Sequence, residues 1–138
     1  MIREILKKAR KQRFIWLRYK RRLDEITWKL CSVQSPGMGE RVQSSHQADL
    51  SEAVEKKEYC ERREKEEREK MDRLAAEAAD IIAMEPDEMK RDILYQRYIE
   101  GDSWKAITRE LGYSEQHIFR LHAESLLFLE KMRVNESK

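Results

Sequence analysis

The sequence predicts an all-α protein. It reads as a long, coiled-coil-like antiparallel helical hairpin over residues 1–84, followed by a small helical domain over residues 85–138. Three observations carry this. Charged residues make up 41% of the chain against 4 Gly and 2 Pro, the balance of long solvated helices rather than of sheets or flexible linkers. Apolar residues recur at alternating steps of three and four through the first helix and at both ends of the second, the period of a helix burying one narrow stripe. Glycines and serines then punctuate the C-terminal third at helix-length intervals. Three Trp within an 8% aromatic content argue against disorder, because such rings need burial.

The first helix runs to Val33. Its seam is Ile2, Ile5, Ala9, Gln12, Trp16, Tyr19, Leu23, Ile26, Leu30 and Val33, with Lys and Arg filling the positions between. Trp16 and Tyr19 lie on that seam, so core packing outweighs base stacking for them. The stretch SVQSPGMGERVQSSHQAD stops the helix, giving a loop over about 34–49. A second helix starts near Leu50, with Asp49 or Ser51 as N-cap, and runs to about Met84. Its seam reads Leu50, Ala53, Lys57, Cys60, Glu64, Glu67, Met71, Leu74, Ala78 and Ile81. The middle, ERREKEEREK, is too polar for a dry seam and reads as an ion-paired stretch with pairs such as Glu61–Lys65 and Glu66–Lys70. Pro86 ends this helix, and Asp87 and Glu88 suit the start of the next. Three shorter helices follow, over about 87–100, 103–111 and 115–132. Gly101 and Gly112 close the first two, and Ser103 (or Asp102) and Ser114 cap the last two.

Net charge is only +2 but unevenly spread: residues 1–29 carry eleven Lys/Arg against three Asp/Glu, and residues 49–88 carry eight against fifteen. Opposed segments of this kind face each other, or one is reserved for a polyanion. Arg10, Lys11 and Arg13 are the candidate phosphate contacts on the basic helix. Two cysteines, Cys31 and Cys60, suit a reducing compartment. The opening MIREILKKARKQR lacks the apolar region of a signal peptide, and no apolar run is long enough for a membrane span. We therefore expect a cytoplasmic protein that does not engage a membrane. His117 and His122, five residues apart, do not share a helical face, so no metal site is expected. No nucleophile–base pair or glycine-rich phosphate loop is legible either, so neither enzyme activity nor a cofactor is expected.

The stretch SWKAITRELGYSEQHIFRLHAESL, residues 103–126, makes the most specific offer. Two helices joined by Gly112, Tyr113 and Ser114 fit a helix-turn-helix. Ile107 and Leu111 would pack on Ile118 and Leu121, and an inward stripe of Ile118, Leu121, Ser125, Phe128 and Met132 leaves Gln116, Arg120 and Ala123 outward with Phe119 at the edge. Gln and Arg can each bond two edge atoms of adenine or guanine.

Residues 93–132, ILYQRYIEGDSWKAITRELGYSEQHIFRLHAESLLFLEKM, resemble region 4 of the sigma-70 family of bacterial transcription initiation factors. Leu94, Arg97, Tyr98, Ile107, Leu111, Gly112, Ser114, Ile118 and Leu126 fall on the family pattern. The match spans about 40 of the 138 residues, without the other sigma regions. The SW opening and the RLH of the third helix resemble small phage and prophage proteins with such a C-terminal domain. The resemblance implies double-stranded DNA as partner, a bacterial host cell as setting, and Ser114, Glu115, Gln116, Phe119 and Arg120 as the base-reading start of the recognition helix. Glu115 and Phe119 depart from it, since the family usually has basic residues there.

These observations lead to a DNA-binding transcriptional regulator of phage or prophage origin, a homo-oligomer assembled through residues 1–84. Two other readings compete with it. One is a DNA-packaging protein like a small terminase subunit, which also joins a helix-turn-helix to an oligomerisation coil. The other is an adaptor that holds RNA polymerase and reads no bases, which the sparsely charged third helix and the outward Phe119 and Leu127 favour.

Overall fold

A computed structural model describes residues 1–33 and 43–136. It is all-helical, with no strand among the described residues. Five α-helices follow in order: α1 (Ile2–Val33), α2 (Gln43–Ile82), α3 (Glu88–Leu94), α4 (Trp104–Leu111) and α5 (Glu115–Glu136), with α3 running on into a π-helical turn, Tyr95–Ile99.

The second helix begins earlier than its sequence suggests. Asp49 and Ser51 lie inside α2 and cannot cap it, because the helix already starts at Gln43. The breakers Pro36, Gly37 and Gly39 all precede that point, and no Gly or Pro follows until Pro86. Of the expected loop, residues 34–42 lie outside the described residues and 43–49 are helical.

The chain divides into two compact units, Met1–Phe14 with Lys70–Lys138, and Ile15–Glu69. The boundary expected at residues 84/85 thus falls inside the first unit. The first turns of α1 and the last turns of α2 put large apolar side chains where α3 and α5 can cover them. Ile2, Leu6 and Ala9 of α1 join Ala78, Ile81 and Ile82 of α2, together with Leu94, Tyr98, Leu126 and Leu129, in one buried cluster. Leu6 lies off the narrow seam read from the sequence yet is fully buried, so the stripe is wider here than a two-helix contact needs. A smaller cluster, Ile93, Ile107 and Ile118, holds α3, α4 and α5 together, with Trp104 and Leu121 packed on it.

On α5 the buried stripe is Ile118, Ser125, Leu126 and Leu129. Phe128, expected inward, is 37% exposed. A helix of 3.6 residues per turn drifts off a strict seven-residue pattern, so the fourth turn buries Leu129 instead. Arg3 and Glu130 pair at 2.8 Å, tying α1 to α5.

In the second unit, the indole of Trp16 donates to Glu64 at 3.0 Å and Arg63 donates to the Tyr19 hydroxyl at 3.1 Å. Ile26 and Lys29 share a hollow with Ala53 and Lys56. Partner numbers on α2 fall as those on α1 rise, so the two helices run in opposite directions here. Glu64 and Glu67 occupy seam positions and are buried. Arg68 pairs with Glu64 at 3.0 Å and Arg63 with Glu67 at 3.1 Å, which keeps both carboxylates compensated. Lys57 pairs with Glu61 at 3.5 Å. Cys31 is exposed and Cys60 buried, both as free thiols.

Candidate functional site

The turn between α4 and α5 is built by local chemistry. Ser103 caps α4 by accepting from the Ala106 amide at 3.2 Å. Gly112 ends it at φ 76, a left-handed conformation that suits glycine. Ser114 caps α5 by accepting from the His117 amide at 3.2 Å. With Ile107 and Ile118 fully buried between the two helices, the opposite side of α5 faces out. Glu115, Gln116, Arg120 and Ala123 are all exposed, and Phe119 is 42% exposed.

Arg120 and Phe119, on the outward side of α5, are engaged within the protein. Arg120 reaches His117 Nδ1 at 2.8 Å and Glu124 at 3.9 Å. Phe119 sets its edge against Trp104, with ring centroids 5.1 Å apart. Glu115 adds an acid at the helix start, so the exposed face carries one basic side chain in its first two turns.

The three candidate phosphate contacts on α1 differ in exposure. Lys11 is exposed, whereas Arg10 and Arg13 are half-buried. Arg10 donates through Nη2 to the Gly101 carbonyl at 3.5 Å and covers the Phe14 ring at 4.7 Å. Gly101 has φ 77, and a Cβ there would stand 3.2 Å from Arg13 Cδ. Glycine suits this position because of its left-handed φ, while an added Cβ would ask only the Arg13 side chain to shift by a few tenths of an ångström.

Gly101 follows the π-helical turn, in which the Glu100 amide bonds the Tyr95 carbonyl at 3.0 Å. The wider turn presents Arg97 to one side. Its guanidinium lies 4.4 Å over the Trp104 ring and donates to the Asp102 carbonyl at 3.2 Å. Burial, then the charge of Arg10, weakens the hold of Arg97 on its proton. Tyr98 is buried, and burial pushes its hydroxyl above the ordinary range. That hydroxyl lies 2.7 Å from His122 Nε2. Burial first, then Arg97 and Arg3, lower the His122 pKa to about 4, so the ring is neutral at pH 7.

These residues line a half-open cleft of about 560 Å³. Lys7, Arg10, Lys11 and Arg97 supply its charge, while Phe14, Tyr98, Trp104 and His122 supply its rings. The sequence reading placed Arg97 and Tyr98 only within a family pattern and set His122 aside with the metal question. The available signal was the spacing Lys7, Arg10, Lys11, Phe14, which puts four side chains on one helical face.

Another feature went unread. Glu85 is buried beside Pro86, accepting from the Ser125 hydroxyl at 2.6 Å and from the Asp87 amide at 3.2 Å. It ties the end of α2 to α5. Among the described residues, no group of three or more His, Cys, Asp or Glu could hold a metal ion, and no helix is long and apolar enough to cross a membrane. Comparison with family models, with curated proteins and with solved structures finds no match to this chain.

Proposed function

We propose that the chain is a DNA-binding transcriptional regulator of phage or prophage origin. In this reading α4 and α5 form a sigma-like helix-turn-helix, and α1 and α2 form a hairpin that carries it. The observation that supports it is the start of α5: a three-residue turn with a left-handed Gly112 and a capping Ser114, from which Gln116 and Arg120 project into solvent. An exposed helix start with these two side chains suits the edges of bases in a major groove. Selection of duplexes from a random pool should return a preferred site. On that site Arg120→Ala or Gln116→Ala should lose roughly 1–3 kcal/mol and relax one base position. A folded double variant that binds as wild type does would sink the reading.

The regulator is proposed to work as an oligomer held by residues 1–84. Trp28 is 73% exposed, Tyr59 52% and Val54 40%, more apolar surface than α1 and α2 cover for each other. Leu23→Asp with Ile26→Asp should dissociate it, since unpaired carboxylates at half-buried positions resist a closed interface. A full-length chain that scatters light as a monomer would refute the oligomer.

A second reading is the polymerase-holding adaptor. Arg120 is already engaged by His117 and Glu124, and Leu127 and Phe119 on the same helix are 52% and 42% exposed. Retention of RNA polymerase by immobilised protein, with no footprint on any duplex, would favour it over base reading.

A further inference from the structure

The cleft of the first unit gathers four cationic side chains with no carboxylate among its lining residues. Lys7 and Lys11 stand one turn apart on α1, with Arg10 beside them, and Arg97 enters from the π-helical turn. Among the described residues, neither guanidinium is paired with a carboxylate. Arg10 and Arg97 each donate to a backbone carbonyl, that of Gly101 and that of Asp102. The Nε of Arg10 is buried with no hydrogen-bond partner. Burial and then the charge of Arg10 lower the proton affinity of Arg97, and an anion shared by the two guanidiniums would offset that repulsion.

The walls narrow the class of anion. The lining is mostly carbon surface, and Phe14 is 39% exposed, with Arg10 on one ring face. The His122 ring is neutral at pH 7 and held by Tyr98, so it adds an aromatic wall without adding charge. A volume of about 560 Å³ falls within the range of small-ligand sites, roughly 300–1,000 Å³. The guanidinium groups are recessed, whereas a duplex backbone meets cations that stand out from the surface.

We propose that this cleft binds a nucleoside phosphate, its phosphates between Arg10, Arg97, Lys7 and Lys11 and its base against Phe14. Guanidinium forks match phosphate oxygens, and an aromatic face accepts a base by stacking. This site is separate from the outward face of α5 and does not depend on DNA reading.

Calorimetric titration of the full-length protein with ATP, pyrophosphate and adenosine tests the proposal. ATP should bind with a dissociation constant in the micromolar range. Pyrophosphate should bind about tenfold more weakly for want of the ring, and adenosine more weakly still. Arg10→Gln should weaken ATP about tenfold. Lys7→Gln with Lys11→Gln changes only exposed positions, so it should weaken ATP while leaving the circular dichroism spectrum unchanged. Arg120→Ala should leave ATP binding as it is. No heat from ATP at millimolar concentration, or ATP affinity unchanged in both cleft variants, would overturn the site. Pyrophosphate binding as tightly as ATP would overturn the assignment of the base to Phe14. Duplex DNA weakened by the lysine variant, with no ATP binding to wild type, would give the cleft to backbone phosphate instead.

Discussion

The two units are held by different physics. In the first, Leu6, Ala78, Ile93, Leu94, Ile107, Ile118 and Leu129 are all fully buried, and the helices meet mainly through apolar contact. In the second, the helices meet through Trp16 on Glu64, Tyr19 on Arg63, and carboxylates compensated by arginines one turn away. Dry burial contributes about 25 cal/mol per Å² removed from water. Exposed or half-exposed ion pairs contribute about 0–1 kcal/mol each. The first unit should therefore stand as a scaffold, while the second holds its pairing geometry at little gain in stability and has most to win from a further partner.

The largest effect should come from deleting core methyl groups in the first unit. Leu129→Ala, at a site with 0% exposure, should cost about 2–5 kcal/mol. Leu23→Ala, at a half-buried site in the second unit, should cost less than half as much. Denaturant unfolding read by single-tryptophan variants separates the two, since Trp104 reports on the first unit and Trp16 on the second. Equal costs at the two sites would break the comparison.

Next in size is a pH effect confined to the first unit. Unfolded His122 takes its proton near pH 6.5, but in the fold it does so only near pH 4. The unfolded chain then binds the extra proton as the pH falls between those values. Stability should be full above pH 6.5, decline towards pH 4 and flatten below it, by less than the roughly 3 kcal/mol of the full shift because solvent screens the partly exposed ring. His122→Phe should remove the decline, and the difference between the two proteins cancels carboxylate titrations common to both. Parallel curves for wild type and variant would show that His122 is not held neutral.

What was legible in the sequence divides by the range of the contact, not by unit. Repeating signals were readable: the seam of α1, and the caps Ser103 and Ser114 with the stops Gly101 and Gly112, because each acts within one helical turn. The true start of α2 was missed because the Ser-rich stretch lacks a breaker after Gly39, and composition alone suggested a loop. The cleft was missed because Arg97 meets Lys7 and Arg10 only through tertiary packing, some ninety positions along the chain. Glu85 was missed for the same reason, since its partner Ser125 lies 40 residues away.

That buried contact supplies a smaller test. Ser125→Ala removes the donor at 2.6 Å and leaves one oxygen of the buried Glu85 without it, while the Asp87 amide still serves the other. The expected cost is about 1–3 kcal/mol, more than the usual worth of a hydrogen bond because the carboxylate stays buried. Ser125→Cys, a weaker donor of similar shape, should recover part of it. A neutral Ser125→Ala would mean that water serves Glu85 equally well.

The smallest effect should be found at Glu64, and it bears most directly on the comparison. Its Oε1 accepts from Trp16 at 3.0 Å and from Arg68 at 3.0 Å, with the Arg68 side chain 46% exposed. Glu64→Gln keeps an oxygen for the indole and removes the charge. If the ion pair matters little, as its exposed arginine implies, the cost should stay below about 1 kcal/mol and shrink further in molar salt. Trp16→Phe does the opposite, deleting the indole donor and keeping the pair, and its cost should not change with salt. Unfolding curves of both variants at low and high salt decide the matter. A Glu64→Gln cost above that of Trp16→Phe, persisting in salt, would mean that buried charge rather than the indole contact holds the second unit.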